Sequence, residues 1–352
     1  MKKSPDTRTV VVFKIIGYAT ALLTLLFGLS RIWDATSGYY GRKAQVRQLL
    51  DSGEVQRARG DYRAAWETFE KAAAVQSSAD VAHHQEDLAM EWLRQVRAPD
   101  GQTYTDVVNM LSPVLTRGVT QSGGTRKADL LAHLGWGDYI RFRENEQQRR
   151  PDTYFDDALK VDPTNVFAHT FEGFWIIWNR GPVSEASAHF RSAVDSKRER
   201  RFVRDFQFVA LFWYGGMDQA AELLRVAADM VRNAEPIPRG IQERIFSHTY
   251  WSSRQDESMR EKYIQAVEIQ DHLKMFQTLY GPGADSSLYG GDEILRDFWL
   301  ATLFERAGKT SDALNGYRQV KTQFEATRPY REDYIQIAED AIRRLSTASR
   351  VR

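Results

Sequence analysis

Gly60-Asp61-Tyr62-Arg63-Ala64-Ala65-Trp66-Glu67-Thr68-Phe69-Glu70-Lys71-Ala72 decides the fold, because its spacing recurs along the chain. A Gly is followed five residues on by Ala, four further by a bulky apolar residue and three further by a small one. The same intervals occur at Gly181, Ala186, Phe190 and Ala193, at Gly215, Ala220, Leu224 and Ala227, and at Gly308, Ala313, Tyr317 and Val320. Steps of four and three put the last three residues of each copy on one face of a helix. The Gly stands where a preceding helix ends and the chain turns, a place that favours a left-handed residue. Ala lets two helix backbones approach, and the bulky residue fills the space towards the next pair. One helix pair cannot bury its apolar face alone, so such units stack on a shared core.

The second and third copies begin 34 residues apart. Gly53, then Gly60-Asp61-Tyr62, Ala65, Phe69 and Ala72, resemble a tetratricopeptide repeat: a small residue in the first helix, the turn, and the triplet of the second helix. Leu134-Gly135 followed by Phe155, Ala158 and Asp162-Pro163 is similar, and Gly173 holds the first-helix position before the copy at Gly181. The pattern departs at Phe208, where a small residue belongs, and at Pro151, where Ala is expected. The resemblance covers most of residues 46 to 325. It implies an all-α chain built as an α-α superhelix, a tetratricopeptide-like solenoid that binds other proteins on the concave side lined by its inner helices.

Residues 10 to 33 carry the second strong signal. From Val10 to Leu29 there are 20 positions with one charge, Lys14, near enough to the end for its stem to carry the amine to the headgroups. Arg31 and Trp33 close the far side as an interfacial anchor. The expectation is a transmembrane helix. Arg31, Trp33 and Asp34 stand before the small residues Ala35-Thr36-Ser37, which favours an uncleaved signal anchor over a removed leader. Lys2, Lys3 and Arg8 precede the span while Arg31, Arg42, Lys43 and Arg47 follow it, so the charge rule for orientation nearly cancels. The short basic head and the absence of cysteine place the expected anchor in a cytoplasmic (inner) membrane with the soluble part in the periplasm.

The expected organisation is therefore a basic head at 1 to 9, a span at 10 to 33, a juncture at 34 to 43, a solenoid at 44 to 326, and a capping helix and tail at 327 to 352. About seven helix pairs fit the solenoid: 44 to 79, 80 to 118, 126 to 163, 166 to 199, 201 to 233, 238 to 272 and 292 to 326. The second is interrupted by Ala98-Pro99-Asp100-Gly101 and carries Pro113 late in its second helix. Two polar loops, 120 to 125 and 279 to 292, break the pattern. Near 331 to 347 an amphipathic helix with Tyr334, Ile335, Ile337, Ala341, Ile342 and Leu345 along one side supplies the cap that a stack needs.

Composition sets limits on function. The chain has 352 residues, 42% of them apolar, with 48 basic against 47 acidic side chains and a formal charge of +1. That balance argues against a nucleic-acid binder, which shows a basic stripe. The densest basic cluster, Lys197, Arg198, Arg200, Arg201 and Arg204, reads as a solvated loop and helix start. Without cysteine there is no disulfide, no thiol nucleophile and no thiolate-ligated metal.

No catalytic motif is present. Gly118-Val119-Thr120-Gln121-Ser122-Gly123-Gly124 lacks the Lys of a phosphate-binding loop and follows no strand. His83 and Asp87 share a helix face with His84 and Glu86 beside them, but nothing supplies third and fourth metal ligands, so the cluster reads as a polar helix face. His133, His169, His189, His248 and His272 are scattered singly. No catalytic residue, metal or cofactor is expected. The remaining constellation is aromatic: by the resemblance, Trp136 and Tyr139, then Phe174 and Trp178, then Phe212 and Trp213, fall near a protein-binding groove. Rigid aromatics suit a peptide ligand because they give contact area at small entropic cost. The competing reading is burial, since 174 to 178 and 208 to 214 are apolar nearly all round.

The functional expectation is a membrane-anchored scaffold or adaptor that holds a protein or peptide partner and assists envelope assembly or secretion, and is not an enzyme. Two rivals stand beside it: an enzyme with its site on the insertions at 98 to 127 or 279 to 292, and a structural element assembled from copies of itself.

Overall fold

A computed structural model describes residues 39–95, 98, 101–144, 150–213, 216–251, 257–327 and 332–351. Every regular element among them is helical, and no strand occurs among them. None of the described helices is long and apolar enough to cross a membrane, and the span expected at 10 to 33 lies outside the described residues. The chain divides into two compact units, Met1–Pro163 and Thr164–Arg352.

In the first unit the helices are α1 (39–58), α2 (Tyr62–Val75), α3 (Ala79–Gln95), α4 (Tyr104–Gln121), α5 (Gly124–Arg143) and α6 (Asp152–Val161). Each of α2 to α5 packs on the next in sequence, and α3 also meets α5, as expected when hairpins stack. The quoted stretch behaves as its spacing requires. Gly60 takes a left-handed conformation (φ 78°) to end α1, and the Asp61 side chain accepts a hydrogen bond from the Ala64 N–H to start α2. Ala65, Phe69 and Ala72 are fully buried. A Cβ at Gly53 would overlap the Phe69 ring, so α1 and α2 touch only because that position has no side chain. Gly135 repeats the device, since a Cβ there would sit 2.6 Å from Phe155 Cε1.

Pro113 lies inside α4, where the Ser112 hydroxyl bonds back to the Val108 carbonyl. Thr103 and Asp106 form a reciprocal capping box at its start. Gly118, on the same helix, faces Glu86: a Cβ would come within 2.6 Å of Glu86 Oε1. The carboxylate, 3% exposed, receives two N–H groups of Arg126, whose third contact is Asp87. His84 Nδ1 lies 2.7 Å from Glu54 Oε1. The polar cluster on α3 thus ties α3 to α1 and α5.

The second unit contains α7 (Val166–Trp178), α8 (Val183–Asp195), α9 (Arg200–Trp213), α10 (Met217–Arg232), α11 (Arg239–Arg244), a π-helical stretch (Ile245–Trp251), α12 (Glu257–Ile264), α13 (Ile269–Tyr280), a 3-10 turn (Ser286–Tyr289), α14 (Glu293–Arg306), α15 (Thr310–Thr327) and α16 (Glu332–Val351). Contacts again run between neighbours and next neighbours: α7 with α8 and α9, α8 with α10, α14 with α15 and α15 with α16. Ala186, Phe190 and Ala193, and likewise Ala313, Tyr317 and Val320, are buried. At the turn after α7 the left-handed residue is Arg180 (φ 60°), one place before the expected Gly181. Gly181 instead gives its N–H to the Ile176 carbonyl at 2.7 Å, and a Cβ there would press within 2.8 Å of Ile176 Cγ2.

Between 238 and 280 the chain is cut more finely than a single pair. The 279 to 292 loop is tied down: Leu288 and Tyr289 are buried, Tyr289 lies beside Phe246, and Arg239 reaches Asp285. Of the basic cluster at 197 to 204, Arg204 is buried rather than solvated, with Nη1 3.0 Å from Gln207 Oε1 and further bonds to Asp229 and Glu235. Arg200 joins it on Glu235.

The core of this unit is aromatic around the π-helical stretch. Tyr250, Phe276, Tyr280 and Trp299 meet edge to face or tilted at centroid distances of 5.0 to 5.1 Å. Among them the Tyr250 hydroxyl lies 2.5 Å from Nε2 of the fully buried His272, whose Nδ1 points to the Ile264 carbonyl at 3.5 Å. Burial holds the His272 pKa down at about 4.

Two outcomes follow. Gly135→Val lowers stability by about 1 to 3 kcal/mol through overpacking against Phe155, whereas Gly41→Val, where a Cβ meets nothing within 4 Å, stays within about 0.5 kcal/mol, both read by urea unfolding. The unfolded chain binds a proton at His272 below about 6.5 and the folded chain only near 4, so stability falls as pH drops through that window, by at most about 1.4 kcal/mol per pH unit. His133, also buried and depressed, adds in the same sense. His272→Gln flattens the dependence measured by urea unfolding at successive pH values.

Candidate functional site

Within the second unit, α12, α14, α15 and α16 enclose a cleft of about 1180 Å³. Its floor is apolar. Phe298 of α14 and Tyr334 of α16 meet edge to face at 4.7 Å, with Ala341 buried beside them and Ile337 half-buried. The α16 positions that pack inward, Tyr334, Ala338, Ala341 and Leu345, recur at four and three residues, the period of one helix face.

The walls are charged and largely paired. Arg344 of α16 donates from Nε (3.2 Å) and Nη2 (2.5 Å) to Glu305 Oε1 of α14. The Tyr317 hydroxyl of α15 donates to the other Glu305 oxygen at 2.9 Å and lies 3.2 Å from Thr302 Oγ1. Arg306 of α14 pairs with Glu261 of α12. Arg260, whose side chain is only 13% exposed, has a weaker partner in Glu257, 81% exposed at 3.3 Å. Burial, reinforced by the Glu305 charge, pushes the Tyr317 hydroxyl well above its ordinary pKa. It therefore keeps its proton and acts as a hydrogen-bond donor. The Glu305 contact holds the Arg344 guanidinium protonated.

Such a site can exchange hydrogen bonds and ion pairs with a polar ligand over an apolar floor. Among the described residues no three His, Cys, Asp or Glu side chains converge to hold a metal. A smaller cleft of about 450 Å³ lies between α8, α9, α10 and the start of α13, where Arg225 and Arg232 are tied to Glu222 and Asp271.

The aromatic residues expected at a groove are placed as follows. Trp136 and Tyr139 of α5 are buried and stacked at 4.6 Å, and Trp136 Nε1 donates to the Leu93 carbonyl at 2.9 Å. Phe174 of α7 is buried against Phe206 of α9 at 5.8 Å. These three serve the core: α7 is apolar on nearly every face, and on α5 every residue from 128 to 140 is buried, Asp129, His133 and Asp138 included. Trp178 is half-buried on Trp175, and Phe212 is half-buried under the Arg244 guanidinium, 4.2 Å from the ring centroid. The Trp213 side chain lies outside the described residues. Phe202, Phe206 and Val209 of α9 form a partly open apolar row that the sequence reading did not single out, with Val209 45% exposed. Their spacing of four and three was the available signal.

No protein-family model matches the chain, and no curated protein matches it in sequence. Among solved structures it aligns with a tetratricopeptide repeat protein from Parabacteroides merdae, over 86% of this chain and 99% of that one, at 10% identity and a TM-score of 0.39.

The Glu305 contacts generate a prediction. Glu305→Ala frees Arg344 and the Tyr317 hydroxyl, and hydrogen exchange of α16 amides rises. Arg344 is mostly exposed, so solvent screening limits the loss of global stability to about 1 kcal/mol or less.

Proposed function

We propose that the chain is a membrane-tethered scaffold that holds a polypeptide partner in the cleft between α12, α14, α15 and α16. The observation that carries this reading is the cleft itself: a large concavity with an apolar floor and walls of arginine–carboxylate pairs. Charged side chains of a partner segment can compete with Glu257, the exposed partner of the sheltered Arg260, and can pair with the exposed Arg344, while the half-buried Ile337 receives an apolar side chain. The stacked helix pairs and the resemblance at Gly53 to Ala72 support a repeat protein of the tetratricopeptide kind. The Tyr317 hydroxyl, held protonated by burial beside Glu305, is a hydrogen-bond donor in the cleft.

The sequence at 10 to 33 supports a single-pass anchor in a bacterial cytoplasmic membrane with the helical units on the periplasmic side. In that arrangement the mechanism is passive. Confinement beside the membrane raises the local concentration of the bound partner around a neighbouring complex, and no chemistry is required of the scaffold.

A photo-crosslinking residue at Ile337 tests the cleft in native membranes. Discrete polypeptide adducts are expected there, lost when Arg306 and Arg344 are both changed to Glu, and absent from a control position at Val55. Equal adducts at both positions, or none at Ile337, contradict the reading. Because the chain has no cysteine, Ser52→Cys gives a single thiol for topology. An impermeant maleimide labels it in intact spheroplasts if the orientation is as proposed, and only after lysis if it is reversed.

A further inference from the structure

The hairpin of α7 and α8 carries a pair of imidazoles that no part of the preceding reading uses. His169 of α7 and His189 of α8 face each other with Nδ1 atoms 3.1 Å apart, ring centroids 5.2 Å apart and ring planes tilted by 59°. Both residues are half-buried, so the pair is reachable from solvent. It is also held in place from beneath. One turn further along α7, Gly173 lies against α8 so closely that a Cβ would be 3.1 Å from both the Ala186 carbonyl oxygen and the Phe190 ring. Ala186, Phe190 and Ala193 are buried on that side of α8. The two backbones that carry the histidines therefore have little freedom to separate.

Two neutral imidazoles at this distance share one proton, one Nδ1 donating to the other. The same geometry suits a different occupant. A Zn²⁺ ion binds imidazole nitrogen at about 2.0 to 2.1 Å, so two nitrogens on one ion at right-angled to tetrahedral spacing stand about 2.9 to 3.4 Å apart. The observed separation falls in that interval. We propose that His169 and His189 form a two-imidazole site for a divalent transition metal of the copper, nickel or zinc kind. Imidazole suits these ions, whereas hard cations such as Mg²⁺ and Ca²⁺ take oxygen. No group of three ligating side chains occurs among the described residues, so solvent fills the remaining positions. Binding displaces the proton between the two Nδ1 atoms, the donating ring taking a proton on Nε2 instead so that both imidazoles stay neutral, and staples α7 to α8. The proposal is independent of the cleft and of the scaffold reading.

The test uses the full-length chain in detergent, freed of metal by a chelator. Zn²⁺ and Ni²⁺ are titrated by calorimetry into the wild type and into His169→Gln, His189→Gln and His83→Gln. The tightest site is expected to weaken at least about tenfold in each of the first two variants and to persist in the third. Zn²⁺ is expected to raise the unfolding temperature of the wild type but not of those two variants. In case a variant misfolds, the wild type alone is treated with diethylpyrocarbonate and mapped by mass spectrometry, where Zn²⁺ should protect both histidines. A tightest site indifferent to both substitutions, binding weaker than about 1 mM, or carbethoxylation unaffected by Zn²⁺ would overturn the proposal.

Discussion

The contact between an aromatic ring and a missing side chain governs this structure. Phe69 against Gly53, Phe155 against Gly135 and Phe190 against Gly173 are three instances of one arrangement: a first helix with a bare position and a second helix with a ring that covers it. The ring is fully or almost fully buried in each case. Deleting such a ring typically costs about 3 to 5 kcal/mol, and adding a side chain opposite it forces the backbones apart, so the contact is constrained from both sides. The small residues before and after each ring, Ala65 and Ala72 or Ala186 and Ala193, are equally buried and let the next helix close on the same surface. Stacking then follows, because each hairpin leaves an apolar face that only another helix can cover.

Polar groups are fitted around this framework at the same helix crossings. Glu86 is buried on α3 where Gly118 leaves room, and Arg126 supplies two hydrogen bonds to it. A buried pair of this kind adds little net stability over apolar packing, but removal of one partner strands a charge in the interior. Arg204 with Asp229, Glu235 and Gln207 has the same character in the second unit. In the cleft, by contrast, the partners are unequal: Arg260 and Glu305 are sheltered while Glu257 and Arg344 are open to water. Unequal pairs exchange partners at low cost, which is why that surface rather than the buried networks is read as the binding site.

What the sequence made legible was whatever a single helix or a fixed spacing records. The burial of Ala65, Phe69 and Ala72, the left-handed turns at Gly60 and Gly308, and the inward row Tyr334, Ala341 and Leu345 on α16 all follow from local periodicity. The turn after α7 was legible in place but not in detail: Arg180 adopts the left-handed conformation and Gly181 serves a close approach, two demands that one glycine in the pattern could not distinguish. Trp136, Tyr139 and Phe174 follow the competing reading of burial: α7 has no polar face from which to infer its orientation, and on α5 the polar residues Asp129, His133 and Asp138 are buried along with the rings and so mark no outer face. The cleft was illegible for another reason. Its residues run from Glu257 to Arg344 across four helices, and no interval within any one of them marks the convergence of Glu305, Tyr317 and Arg344.

The central claim is that ring and glycine are matched as a pair and not merely each buried. A double-mutant cycle between Gly53 and Phe69, whose ring is the neighbour that a Cβ at Gly53 would meet, with Gly53→Val, Phe69→Ala and the combination compared by urea unfolding, measures this directly. The account predicts that the double variant is less destabilised than the sum of the singles, with a coupling of about 1 kcal/mol or more, because the space left by the ring accepts the new side chain. Additive losses would contradict it.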